Sequence, residues 1–133
     1  MNRFTRIAVA ILGLTLAACG SDAVGDIEAT QAGVQSVFDQ SCAFSGCHAA
    51  GQQTPDLSAA GMRAATIGVV APSSNGGLPH IAAGDSAGSF LVQKIEGNLE
   101  SGEGNQMPLR AAALTAQQIG KIKEWIDGGA LAN

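Results

Sequence analysis

Ser41-Cys42-Ala43-Phe44-Ser45-Gly46-Cys47-His48 sets two thiols and an imidazole within eight consecutive residues. Covalent haem attachment needs those groups: two thiols for the two vinyl groups of a porphyrin, and an imidazole for the iron. The usual spacing is C-x-x-C-H, and here it is C-x-x-x-x-C-H. The adjacency of Cys47 and His48 is kept, so one thioether can fix the porphyrin edge while the neighbouring imidazole reaches the metal. The first cysteine needs only a pliable connection, which Ala43 to Gly46 can supply, with Gly46 giving the backbone freedom of a tight turn. Three other readings stay open on this stretch alone. Cys42 and Cys47 can close a disulfide. Cys42, Cys47, His48 and the distant His80 can be read as zinc ligands, although adjacent residues rarely turn both side chains onto one small ion. The two thiols can also be free and reactive.

Upstream, Arg3 and Arg6 precede an apolar run from Ile7 to Ala18, too short to span a bilayer comfortably and ending in small residues. Residues 1–18 therefore read as an export signal. Leu16-Ala17-Ala18-Cys19-Gly20 resembles the lipobox of bacterial lipoproteins. That resemblance implies that Cys19 becomes the new N-terminus and carries acyl chains, and several chains together anchor stably. It further implies a chain lipid-anchored to a bacterial membrane, on its periplasmic or cell-surface side. Gly20 is not the aspartate that retains lipoproteins at an inner membrane, which points to the outer one where there are two. Residues 19–26, small and acidic, read as a tether. With Cys19 assigned to lipid, one cysteine pair remains.

From Cys19 on, the loss of Arg3 and Arg6 leaves five basic against eleven acidic side chains, a net charge of −6. Nucleic acid is a poor partner for such a chain. Its aromatic side chains are Phe38, Phe44, Phe90 and Trp125, amid abundant Gly and Ala. A core of these alone would be thin for one small domain over 27–133, and a buried porphyrin would fill much of the deficit.

Hydrophobic spacing then gives helices. Val34, Val37 and Phe38 share one face, with Ile27 a possible extension. Ala59 to Thr66 reads as a short helix with Ser58 as N-cap. Gly68 to Gly84, rich in Gly, Pro, Ser and Asn, reads as irregular. Asp85 or Ser86 is expected to cap a helix carrying Phe90, Leu91, Lys94 and Ile95, stopped by Gly97. Thr115 with Gln118 forms a capping-box pattern ahead of Ile119, Ile122, Trp125 and Ile126, and Gly128-Gly129 ends that helix.

Met107-Pro108 lies in the hydrophilic stretch between the last two helices. A thioether is a soft neutral ligand that stabilises ferrous haem and raises its potential, and Pro108 restricts the backbone beside it. Met107 is thus the expected second iron ligand, whereas Met62, inside an expected helix, reads as core packing. His80 reads first as a solvated loop histidine, with a haem propionate contact or iron ligation as alternatives.

Taken together, the order of a helix, Cys-x4-Cys-His, Gly-Asp-x-x-x-Ser-Phe-Leu-Val-x-Lys-Ile, a Met-Pro loop and Leu-Thr-x-x-Gln-Ile-x-x-Ile-x-x-Trp-Ile-x-x-Gly-Ala resembles a small class I-type c-type cytochrome domain of bacterial lipoproteins. The resemblance spans residues 27–130. It implies an all-α, cytochrome c-like fold of about four short helices around one covalent haem c, with Cys42 and Cys47 as thioethers and His48 and Met107 as axial ligands. The lengthened cysteine spacing is the departure from the family pattern. With both axial positions filled, the expectation is electron transfer between redox partner proteins rather than enzymatic catalysis. No Ser-His-Asp set, phosphate-binding glycine loop or paired-carboxylate motif argues otherwise. Two further readings are a peroxidase or gas sensor with a labile distal ligand, and a haem-free, disulfide-closed binding lipoprotein.

Overall fold

The computed structural model describes residues 27–133; the export signal, Cys19 and the tether lie outside the described residues. Four helices make up the regular structure: α1 (Gln31–Ser41), α2 (Met62–Thr66), α3 (Phe90–Glu96) and α4 (Ala116–Asp127). Among the described residues there is no strand, only isolated bridges that pair Ile67 with Ile81, Val70 with Pro79 and Ala82 with Asp85. No described helix is long and apolar enough to cross a membrane. The protein is helical, as the spacing of its apolar residues predicts.

α1 begins where the Thr30 side chain accepts a hydrogen bond from the Gly33 amide (3.1 Å), satisfying one of the donors a helix start leaves unpaired. It ends where the Phe38 carbonyl accepts from both the Cys42 and Ala43 amides, each at 2.7 Å. Val34, Val37 and Phe38 are fully buried, so the predicted face is the packed one. α4 has the expected capping box, with Thr115 and Gln118 satisfying each other's backbone amides. Its Ile122, Trp125 and Ile126 are buried in the core, and the helix packs against both α1 and α3. Met62, Leu57, Ile81, Val92 and Ile95 complete a single core. Met62 is entirely buried, in keeping with its reading as packing.

Two helix starts differ from expectation. α2 begins at Met62 behind Gly61, not at Ala59, and the Ser58 side chain makes no cap bond. Asp56 instead accepts from the Ser58 amide (2.8 Å), so the local side-chain turn competes with the helix and delays it. α3 starts at Phe90, behind Ser89, and has no side-chain cap. Asp85 and Ser86, the expected caps, are used elsewhere. Asp85 accepts from the Gly88 amide, while Ser86 donates its amide and hydroxyl to the Asp127 carboxylate at 2.7 and 3.0 Å. That pair ties the turn before α3 to the end of α4. Gly97 closes α3 in the left-handed region at φ 78°, as predicted.

Candidate haem-binding site

Phe38, the last buried residue of α1, fixes where the cysteine stretch starts: Cys42 is buried and Cys47 half-buried, and both thiols are free. The loop between them folds back on itself. The Cys47 amide donates to the Phe44 carbonyl (2.9 Å), and the His48 amide donates to the Cys42 carbonyl (3.0 Å). Gly46 occupies φ 85°, a conformation that a side chain would strain, so the four intervening residues close as a tight turn. The three sequence-predicted residues are therefore held in one backbone-bonded loop.

His48 is oriented by a group that the sequence did not flag. Its Nδ1 lies 2.9 Å from the Pro55 carbonyl oxygen. A carbonyl can only accept, so Nδ1 carries the hydrogen, and in the neutral ring Nε2 keeps the lone pair. An outer hydrogen bond of this kind fixes the tautomer and sharpens a ligating imidazole. The Pro55 segment is itself anchored. The Leu57 amide donates to the His48 carbonyl (2.8 Å), and Gln35 of α1 donates Nε2 to the Leu57 carbonyl (2.9 Å). α1 thus supports the loop from both ends.

The electrostatics of the thiols bear on the competing readings. Burial, and then the neighbouring Cys47, push the Cys42 thiol up to about 11. A thiol held protonated in this way is a poor nucleophile, which argues against Cys42 as a reactive thiol. Among the described residues no group of three or more His, Cys, Asp or Glu gathers so as to hold one ion, which argues against the zinc reading.

His80 departs from the expectation of a solvated loop. It is 8% exposed, and Nε2 is buried with no hydrogen-bond partner. Its backbone is held on both sides, the amide donating to Val69 (2.7 Å) and the carbonyl accepting from Leu91 (2.9 Å). Burial, and then the influence of His48, lower its proton affinity.

Met107 is half-buried, and its amide donates to the Lys94 carbonyl of α3 (2.9 Å). His80 and Met107 are thus bonded to α3 at Leu91 and Lys94, three residues or roughly 4.5 Å of helix axis apart. α3 carries both segments. The Lys94 ammonium holds the rest of the methionine loop, donating to the carbonyls of Glu103 (2.7 Å) and Asn105 (3.0 Å), and Gln106 donates to the Ile95 carbonyl (3.2 Å). Glu103 closes the far side. Its buried carboxylate accepts from the amides of Asn75 and Glu100, each at 2.9 Å, which hold it below the usual carboxylate range. The sequence marked Met107 but neither Lys94 nor Glu103, whose roles come from partners 9 to 28 residues away.

The residues present fit a haem on three counts. The donor set is right: two thiols, an imidazole with a directed lone pair and a thioether. A buried imidazole nitrogen, His80 Nε2, has no partner among the described residues. Of the five large apolar side chains exposed among the described residues, four lie in the segments that carry these groups: Phe44 between the cysteines, Val69 and Val70 paired with the Pro79–His80 segment, and Leu109 beyond Met107. By contrast, an open groove of about 620 Å³ over α4, lined by Glu96, Ile119, Lys123 and Glu124, holds no convergent set of chemical groups. Comparison with protein-family models, with curated proteins and with solved structures finds no match.

Proposed function

We propose that this chain is a membrane-tethered electron carrier with a cytochrome c-like fold and one covalent haem c. The observation that carries the reading is the His48 Nδ1 bond to the Pro55 carbonyl, made in the same closed loop that holds two free thiols. In this assignment Cys42 and Cys47 would hold the haem as thioethers, and His48, through its Nε2 lone pair, and Met107, through its sulfur, would be the iron ligands. When bound, the haem supplies a one-electron couple at its iron. The protein's part is to hold both axial ligands still. α1 braces the His48 loop through Gln35, and α3 braces the Met107 loop through Lys94. Ligands held in this way favour a change of oxidation state without rearrangement and leave no position for a substrate. Phe44, Val69, Val70 and Leu109 gain an apolar surface to cover, which accounts for their exposure. Cys19 is the lipid attachment, placing the domain on the outer side of a bacterial membrane, where redox partner proteins meet it.

The test is production of the full chain in a host competent for haem attachment, followed by intact mass, a haem-stained gel and visible spectra. The expected result is a mass raised by one haem, a weak far-red methionine–iron band in the ferric form, and no response of the ferrous form to carbon monoxide. A colourless protein of unmodified peptide mass would overturn the haem assignment. A high-spin, carbon monoxide-binding protein would favour the sensor or peroxidase reading. Cys19→Ser is expected to release the protein from the membrane fraction, and a variant that stays there refutes the anchor.

A further inference from the structure

Buried polar atoms in folded proteins are almost always hydrogen-bonded, so the solitary His80 Nε2 calls for an explanation. The imidazole cannot easily swing out to find water. Its residue is bonded through both backbone groups, to Val69 and to Leu91, and Ile81 next to it is fully buried. No protein acceptor has been placed beside it. α3, which holds the His80 backbone through Leu91, also holds the Met107 segment through Lys94, so a group bound beside Met107 is the candidate partner.

We propose that His80 Nε2 donates a hydrogen bond to a haem propionate. This rests on the haem reading given above. The two axial positions of the iron are assigned to His48 and Met107, and the other strong acceptors on a haem are its two propionate carboxylates. The described cations are largely engaged elsewhere: Arg63 donates to the Ala130 carbonyl (2.6 Å), Lys94 holds the methionine loop, and Lys121 and Lys123 pair with Glu124 and Glu96. Arg110, exposed three residues beyond Met107, is the remaining one. A buried carboxylate needs a buried donor, and His80 is the one on hand. Its backbone is held by Leu91 of α3, the helix that also holds the Met107 segment, so His80 would act as a positioning residue for the porphyrin.

Haem-loaded wild type, His80→Leu and His80→Gln are compared by resonance Raman in the propionate-bending region and by the ferric far-red band. Leu removes the donor, while Gln restores an N–H at similar reach and ligates haem iron poorly. The expected result is a shifted propionate band in His80→Leu, its return toward wild type in His80→Gln, and a methionine–iron band common to all three. In ferrous wild type, nitrogen NMR is expected to show a protonated, hydrogen-bonded Nε2, a readout that needs no variant to fold. An unmoved propionate band together with an unprotonated Nε2 refutes the proposal. So does a methionine–iron band absent from wild type and gained in His80→Leu, which would put His80 on the iron. Colourless wild type would bring down the haem reading itself, and this proposal with it.

Discussion

Lys94→Met separates the methionine loop from α3 while keeping the length and apolar stem of the side chain. The lysine makes two ammonium-to-carbonyl bonds, at 2.7 Å to Glu103 and 3.0 Å to Asn105. Net contributions of about 1 kcal/mol each suit a half-exposed donor, below the range for fully buried charged bonds. The ammonium also lies 5.5 Å from the centre of the Phe90 ring, worth about 0.5 kcal/mol at such exposure. The sum is a loss of roughly 2–3 kcal/mol. In urea this lowers the unfolding midpoint by about 1–2 M for a domain of this size. Lys123→Met is the control. It breaks an ion pair with Glu96 (2.9 Å) whose partners are 39% and 27% exposed, so its loss stays below about 1 kcal/mol. In haem-loaded protein Lys94→Met is also expected to weaken the ferric methionine–iron band, because the residues just before Met107 lose their anchor. Equal unfolding free energies for the two variants, within about 0.5 kcal/mol, would refute the claim that Lys94 organises the loop.

Three further outcomes test other parts of the fold. Gly33→Ala would ordinarily stabilise a helix by about 1 kcal/mol, but a Cβ there would run into the Glu28 carbonyl oxygen, so thermal unfolding is expected to move down; an upward shift refutes that close approach. Thr115→Val removes the side-chain acceptor at the start of α4 and should cost about 1 kcal/mol in denaturant titration, an unchanged midpoint meaning that the capping box is dispensable. Glu103 is held below the ordinary carboxylate range by amide bonds, so its contribution is present above that range and fades as pH falls through the depressed value. Wild type should accordingly lose stability on acidification more steeply than Glu103→Gln, and parallel profiles would rule Glu103 out as a source of the acid sensitivity.

Local pattern carried a good deal of the sequence reading. The face of Val34, Val37 and Phe38, the capping box of Thr115 with Gln118 and the Gly97 stop each depend on residues within one or two turns, so they are written in the chain directly. The cysteine–histidine spacing is likewise local, and its loop closes through bonds that span no more than six residues. α3 starts later than its sequence predicts because Ser86 is drawn to Asp127, 41 residues away, in preference to capping a helix. A side chain with a local use and a distant one looks the same in sequence.

The helical character of α1 and α4, two thiols placed beside an imidazole and a methionine in a polar loop are legible along the chain without any knowledge of its packing. Packing between distant segments is what buries His80 with an unpartnered Nε2, sets the His48 tautomer through the Pro55 carbonyl and hands the methionine loop to Lys94. The physical reason is range. Periodicity and capping are contests within a few residues, whereas burial and the choice of a hydrogen-bond partner depend on which distant segments packing has already brought alongside.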